Sequence, residues 1–587
     1  MRRSHIVIAA DFGTTYSGIA ICEISDDGAQ GNPIHVIQNW PSCHTKIGTK
    51  EKVPSEIAYL KTGIEWGSNI PPNEGRYMWM KLQLDRQQSG EAAKIVRELA
   101  TAVVGPRRHP VDIIADFLRC VKEHVVKNLD EMYGAGLWRT LPIVFVMTVP
   151  AVWSDLAKTR TKTALDQAGF NTKEFPQLVQ TLTITEPEAA AIFTIKTLRG
   201  GAHDDQLAIG DGFVVCDMGG GTVDLISYRV AGLQPTVVEE ATVGNGDQCG
   251  STFVDRAFIQ WLEDKLGLDN FIQLAGCHAK DVPHTQLSQR LGRILGDFVM
   301  ESKTGFSGKQ HSFLRLPHPL GSLPDDDEKG IQDGEIKVTP TDMKELFANP
   351  IKRTCELIEE QLEQAACYGD IEIKVRSFAE SAYVYSEIKA FAEGKGIIAI
   401  RPAYAWSAVV RGAAAKGLEV DGDALVLNRK CRRHYGTPSS KVFIPGLHSE
   451  RESYIDEHDS VKRANNCMSW LIKKGQNLAT SSSACTKLVF SQDFWSGEYR
   501  ETTAELKASE SDVAPIKSYD WAISHVASLK VDLSDVPDDQ FIKRLSPNGR
   551  WYYRLSFNVE ISVQSSLEFS VTVNGKKYGT VTANYEA

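Results

Sequence analysis

The sequence predicts an α/β protein made of two similar lobes facing one site, followed by a separate β-rich domain. Three observations predict it. First, two strand–turn–strand segments share one grammar: Ile6 to Ala10 leading into Asp11-Phe-Gly-Thr-Thr-Tyr-Ser-Gly18, and Phe213 to Cys216 leading into Asp217-Met-Gly-Gly-Gly-Thr-Val-Asp224. They lie roughly two hundred residues apart, the arrangement expected of a duplicated architecture. Second, apolar strand-like runs alternate with helix-period segments as far as Gly417. Third, the character changes beyond about residue 420, and the stretches from Trp551 and from Leu567 alternate apolar and polar residues with period two.

Bulk properties narrow the function classes. The 587 residues are enough for about three to five domains. A hydrophobic content of 42% and a charged content of 24% are those of an ordinary globular chain. A net charge of −10 argues against a nucleic-acid binder, which would carry a basic stripe. No apolar run approaches the ~18 residues of a membrane span. The apolar run near the N-terminus stops at Asp11, short of the roughly 7–15 residues a signal peptide needs. Eleven cysteines without regular spacing point to reduced thiols and a cytoplasmic location. Cys431 and His434 have no second pair spaced to complete a zinc site.

Taken in order, Asp11 to Gly18 joins two strands through a turn. Gly13, Thr14 and Thr15 there would face a phosphate, since glycine admits tight turns whose N–H groups converge on an anion. Residues 53–60 read as extended. Lys81, inside Trp79-Met-Lys-Leu-Gln-Leu84, reads first as a lysine snorkelling from a partly buried face, with a phosphate-facing role as the second reading. Helical spacing runs from Val111 to about Tyr133, and Pro142 to Ala151 is a buried strand ending at Pro150. A helix over 154–168 has Ser154 as N-cap and Gly169 as its stop. Leu182-Thr-Ile-Thr-Glu-Pro-Glu-Ala-Ala-Ala191 is a strand ending at Glu186, with Pro187 in the first turn of the next helix. A carboxylate at that strand end can reach a central cleft and orient a water, or can merely complement the helix dipole.

In the second unit, Gly219, Gly220, Gly221 and Thr222 form the matching turn, and Asp217 and Asp224 bracket it with carboxylates suited to a hydrated metal. Either hairpin alone could be an ordinary glycine-rich turn; the two together are hard to attribute to coincidence. Helices are expected over about 253–266, 287–303 and 342–366, with a polar, solvated loop over 307–334. Ile371 to Val375 is a strand, Arg376 to Ser381 a turn, and helices follow at 383–392 and 403–417. From Ser440 onward the chain reads as short strands with polar turns, with Asn574-Gly575 a strong hairpin signal.

These pieces together resemble the actin-like ATPase superfamily, and more closely the 70-kDa heat shock chaperone family, in its 12A/12B-like subgroup. The resemblance rests on Asp11 to Gly18, Thr185-Glu-Pro-Glu-Ala-Ala-Ala191, Asp217 to Asp224, Gly250-Ser-Thr-Phe-Val-Asp255 and Val409-Val-Arg-Gly-Ala-Ala-Ala-Lys-Gly417. It implies lobe I over 1–197, lobe II over 198–420 and a β-rich domain over 421–587. It also implies ATP/ADP and Mg2+ as cofactors, with Asp11 and Asp217 holding the metal. Gly13, Thr14, Thr15, Tyr16, Gly219, Gly220, Gly221 and Thr222 would then line the phosphates, and Glu186, Asp224, Asp217 and Lys81 would carry the catalysis. Lys303 would sit on the adenine side, and Pro150 would relay nucleotide state.

One segment departs from the family. Val375-Arg-Ser-Phe-Ala-Glu-Ser381 stands where the family has Val-Gly-Gly-Phe, so Arg376 and Ser377 either block the adenosine side or contact the nucleotide. The expected function is an ATP-binding, slowly hydrolysing chaperone-like protein, with unfolded polypeptide or protein partners at the C-terminal domain. The alternatives are a non-hydrolysing interaction scaffold and a small-molecule kinase of the same superfamily.

Overall fold

The computed structural model describes residues 5–24, 33–42, 50–71, 74–85, 93, 97, 108–151, 153–198, 208–233, 236–283, 287–366, 373–377, 381–402, 404–419, 425–480, 485–563 and 567–582. The chain separates into two compact units, Met1–Leu425 and Val426–Ala587. Among the described residues no helix is long and apolar enough to cross a membrane.

The first unit is mixed α/β and contains two sheets of the same plan. In one, His5–Phe12 and Tyr16–Ile24 form an antiparallel hairpin extended by His35–Val36. On its other side, Ile143–Val149 and then Leu178–Thr185 add in parallel. In the other, Gly212–Met218 and Val223–Leu233 form the hairpin, Thr236–Glu240 extends it, and Ile373–Ser377 and then Ile398–Ile400 add in parallel. Parallel neighbours need crossover connections, and the sequence supplies helices for them. Pro110–Tyr133 precedes Ile143–Val149, Asp155–Ala168 separates it from Leu178–Thr185, and Ala382–Gly394 separates Ile373–Ser377 from Ile398–Ile400.

Each sheet has its own apolar core. Ile6, Ile8, Phe117, Val125 and Phe145 fill the first; Val214, Leu225, Phe258, Ile294 and Phe298 fill the second. Ser154 caps its helix by accepting from the Ala157 N–H, and Gly169 ends it at φ 96°.

Two short helices, Glu186–Leu198 and Ala408–Gly417, cross one another closely. The alanines and Gly412 permit this. A Cβ on Gly412 would lie 1.7 Å from the Ala189 carbonyl oxygen, so only glycine lets the two backbones approach.

Three expectations change. The polar stretch 307–334 is not simply a solvated loop: Ser312–Arg315, Ile331–Gln332 and Glu335–Val338 form a small antiparallel sheet. It buries only Leu314, Ile331, Ile336 and Val338, too few apolar residues to stand out against the charged composition. The strand beginning at Ile373 runs on through Arg376 to Ser377 instead of turning at Arg376, because both continue the parallel register, opposite Val215 and Cys216. The helix expected over 287–303 is α-helical from Gln289 to Asp297 and π-helical from Phe298 to Lys303.

The second unit is a β-sandwich. One sheet orders Ser453–Ile455, Lys462–Ile472, His434–Val442, Glu501–Ser509 and Ile523–Asp532. The other orders Thr486–Trp495, Trp551–Val563, Leu567–Val573 and Lys576–Thr582, with Phe541–Leu545 also on Trp551–Val563. Period-two alternation turns Leu506, Val531, Leu555, Phe557 and Phe569 into one shared core. Asn574 at φ 48° and Gly575 at φ 80° make the hairpin turn the sequence signals. Leu555 is fully buried, so Leu555→Ala is expected to cost about 2–5 kcal/mol of this unit's stability, read by denaturant unfolding.

Cys431 and His434 are both buried here. His434 Nδ1 accepts from the Lys474 N–H at 3.0 Å, which leaves Nε2 to donate to the Ser511 carbonyl at 2.9 Å. With both nitrogens engaged by backbone, this histidine is structural.

Candidate functional site

The two hairpin turns meet. A Cβ on Gly220 would lie 1.8 Å from Thr15 Oγ1, and one on Gly221 would lie 2.9 Å from Thr14 Cγ2. Glycine is therefore required at both positions by the opposite turn, and at Gly13 by its own, where a Cβ would meet the Tyr16 carbonyl at 2.1 Å. Each turn is also pinned from behind. Ser55 donates its hydroxyl to the Gly13 carbonyl and its N–H to the Thr15 carbonyl, both at 2.8 Å. The carbonyls of Gly219, Gly220 and Gly221 accept from the N–H groups of Ser251, Thr252 and Gly250 at 3.1, 2.9 and 3.2 Å. Trans peptide planes then turn the N–H groups of Gly220, Gly221 and Thr222 the opposite way, an arrangement suited to an anion.

A cavity of about 570 Å³ opens at this junction. Its wall includes Asp11, Gly13, Thr14, Thr15, Tyr16, Lys81, Glu186, Asp217, Gly219, Gly220, Gly221, Thr222 and Lys303. Asp224 stands directly across the hairpin from Asp217, so the two carboxylates share one face of the sheet. Arg376 and Ser377 are placed by their backbone alone. Their side chains, and residues 378–380, lie outside the described residues. Ser381, which ends that segment, lines the cavity and caps the next helix at the Val384 N–H.

Lys81 corrects its first reading. It does not snorkel: it is 3% exposed, sits in the 3-10 turn Met80–Leu84, and ion-pairs with Glu186. The tight turn, not an amphipathic face, aims it inward. Lys303 donates to Asp255 Oδ1 at 2.7 Å and to the Ser251 carbonyl at 2.8 Å.

Three further residues belong to the site and carry no sequence signal of their own. Lys52 donates to Asp11 Oδ2 at 2.7 Å. Thr148 donates to Asp11 Oδ1 at 2.9 Å, which follows from the parallel register that pairs Met147 with Ala10. Trp406 lines the cavity, with its ring 5.3 Å from that of Tyr16. A register between strands distant in sequence, or a lysine in an irregular segment, cannot be read from local pattern.

The electrostatics are those of crowded, buried acids. Burial would raise Asp11, but the charges of Lys52 and Lys81, with the bonds from Lys52 and Thr148, hold it below the usual carboxylate range. Burial would lower the Lys52 ammonium, but Asp11 keeps it above its usual value. Burial pushes Asp217 up to about 7 despite Lys52, with Asp11 and Asp224 adding to the rise. Burial likewise pushes Glu186 up to about 8 against the pull of Lys81. Four carboxylates thus share one site with two ammonium groups. Once their protons have left, these clustered carboxylate oxygens suit a small, hard divalent cation.

A pH dependence follows. A proton held on Asp217 or Glu186 must leave before a metal binds. The affinity of these carboxylates for an added divalent cation such as Mg2+ is therefore expected to rise between about pH 6 and pH 8, by up to roughly tenfold per unit for each proton released, as titration calorimetry would read. Without added metal the sign for stability is the reverse. The folded form binds these protons more tightly than the unfolded form, so stability falls as pH rises from the ordinary value of 3.8 toward about 7 for Asp217.

No family model matches this chain. It is 23% identical over 526 residues to heat shock 70 kDa protein 12B of Homo sapiens, covering 76% of this chain and 72% of that protein. It is 24% identical over 526 residues to heat shock 70 kDa protein 12A of Homo sapiens, covering 77% and 74%. The Mus musculus 12A protein is 25% identical over 320 residues, covering 45% and 46%. The chain is thus similar over about three quarters of its length to the 12A and 12B proteins of the 70-kDa heat shock family. Its mixed α/β architecture is consistent with the actin-like ATPase fold of these relatives, and the similarity suggests nucleotide binding.

Proposed function

We propose that this site binds ATP with Mg2+ and slowly transfers the terminal phosphoryl group to water, in a cytoplasmic, chaperone-like protein. The single observation that carries the reading is the contact between two glycine–threonine turns from sheets of the same plan, closed over one cavity beside a buried Lys81–Glu186 pair. Gly13, Thr14 and Thr15 would bind phosphate from one side, and Gly219 to Thr222 from the other. Asp11 and Asp217 would hold the metal, with Asp224 and Glu186 beside it. When bound, the metal would neutralise charge developing on the phosphates. Lys81 orients Glu186 through their ion pair. Glu186, raised to about 8 by burial, is a strong base toward an attacking water once its own proton has left. In this chemistry positioning and charge neutralisation do most of the catalysis. The β-sandwich would serve protein or polypeptide partners.

Asp217→Asn is the direct test. It removes a charge from the metal site and changes the side-chain volume little. Phosphate release from ATP is expected to drop by at least about 100-fold, the scale of a lost electrostatic element in a buried site. Unchanged phosphate release in this variant would refute the assignment.

A further inference from the structure

Lys52 is the residue of this site that neither the phosphate turns nor the Lys81–Glu186 pair explains. Its ammonium is 2.7 Å from Asp11 Oδ2, while the other oxygen of Asp11 takes the Thr148 hydroxyl at 2.9 Å. Both oxygens of one candidate metal ligand are therefore engaged by the protein itself. The same ammonium is drawn by the charges of Asp217 and Glu186 and lies 5.6 Å from the centre of the Trp406 ring. It is a cation placed among the carboxylates that would otherwise receive the metal.

The placement is built. Val53 and Pro54, which follow Lys52, pair with Ser17 and Tyr16. Glu51, which precedes it, is held by Arg411 at 3.0 Å. Gly18 lies beneath the lysine stem: a Cβ there would come within 3.2 Å of Lys52 Cγ. Lys52 also differs from Lys81. The Lys81 side chain is 3% exposed and its ammonium lies 5.4 Å from the centre of the Trp153 ring. The Lys52 side chain is 13% exposed and lines the open cavity, so it has somewhere to go.

We propose that Lys52 is a displaceable counter-cation: it holds the carboxylate of Asp11 that a divalent metal would take, and entry of the metal turns it away from Asp11. Lys52 thereby sets the metal affinity of the site. The proposal rests on reading Asp11 and Asp217 as metal ligands, but it does not require that ATP be the nucleotide.

The test uses the full chain without nucleotide and Mn2+ as the probe, followed by electron paramagnetic resonance at fixed pH. Lys52→Gln keeps a hydrogen-bond donor for Asp11 and removes the charge. It is expected to bind Mn2+ at least about tenfold more tightly than wild type, because one competing unit charge has gone from a buried site. Lys52→Arg keeps the charge and is expected to stay within about threefold of wild type. Equal Mn2+ affinity in wild type and Lys52→Gln, or weaker binding in the variant, overturns the proposal. A second measurement needs no variant. Labelling of Lys52 by an amine-reactive ester, read by mass spectrometry, is expected to rise as Mn2+ saturates the wild-type protein; labelling that Mn2+ leaves unchanged overturns the proposal as well. Neither arm contains nucleotide, so a failure to bind ATP would sink the nucleotide reading while leaving this one to stand or fall by itself.

Discussion

Lys81→Met is expected to lower ATP hydrolysis by at least about 100-fold while leaving the chain folded. The rate effect follows from the pair that Lys81 makes with Glu186. The ammonium opposes the burial that raises Glu186 and holds the carboxyl in place, so its loss makes Glu186 still harder to ionise and leaves it unoriented; general acid–base groups contribute about 10²- to 10⁴-fold. The stability effect needs a different magnitude. Breaking a buried ion pair costs about 3–5 kcal/mol when a charge is left stranded. Glu186 need not stay charged: even beside Lys81 its proton affinity is raised to about 8, so it neutralises itself when the lysine goes. The loss in stability should therefore fall below that range. Phosphate release and thermal unfolding, measured side by side, separate the two effects. A variant that hydrolyses ATP at the wild-type rate would show that Glu186 works without its partner.

Gly412→Ala is expected to do the opposite, damaging the fold and the site together. The added Cβ would sit 1.7 Å from the Ala189 carbonyl oxygen and 2.4 Å from its carbon. Those are backbone atoms of the facing helix, so no side chain can move to make room. The helices Glu186–Leu198 and Ala408–Gly417 must separate, and the first of them begins at Glu186. A cost of roughly 3 kcal/mol or more is expected, at or above the upper end of ordinary overpacking. Gly296→Ala is the control. It lies in the helix Gln289–Asp297 with nothing within 4 Å of its added Cβ. The same change there should stabilise by about 0.5–1 kcal/mol, through the smaller entropy loss of alanine in a helix. Similar effects from both substitutions would remove the close helix crossing as a determinant of this fold.

The two glycine–threonine turns are legible in the sequence because their constraints are local. Asp11 and Asp217 end apolar strands, and Gly13 and Gly220 occupy places where no side chain fits. The period-two alternation from Trp551 to Val573 likewise marks strands, since one face of each is buried. What escapes is set by distance along the chain. Thr148 reaches Asp11 only through the register of parallel strands that lie far apart in sequence. Lys52 sits in an irregular segment with no period to reveal which way it points. Lys81 reads as amphipathic because its neighbours are apolar, and only a 3-10 turn shows that it faces inward. The small sheet of Ser312 to Val338 is masked by the charge of Asp325 to Lys329. The order of strands in the β-sandwich is also invisible locally.

The proposed phosphate site for a metal-bound nucleotide is formed by two turns from sheets of the same plan. Titration calorimetry of ATP into the full chain with excess Mg2+ tests it most directly, with Gly220→Val as the companion. A Cβ on Gly220 would strike Thr15 at 1.8 Å and force the turns apart, and neither turn lies in an apolar core. The account predicts saturable one-to-one binding by wild type, lost in Gly220→Val while the variant still unfolds cooperatively. Absence of binding by wild type at millimolar ATP, or wild-type affinity in Gly220→Val, would contradict it.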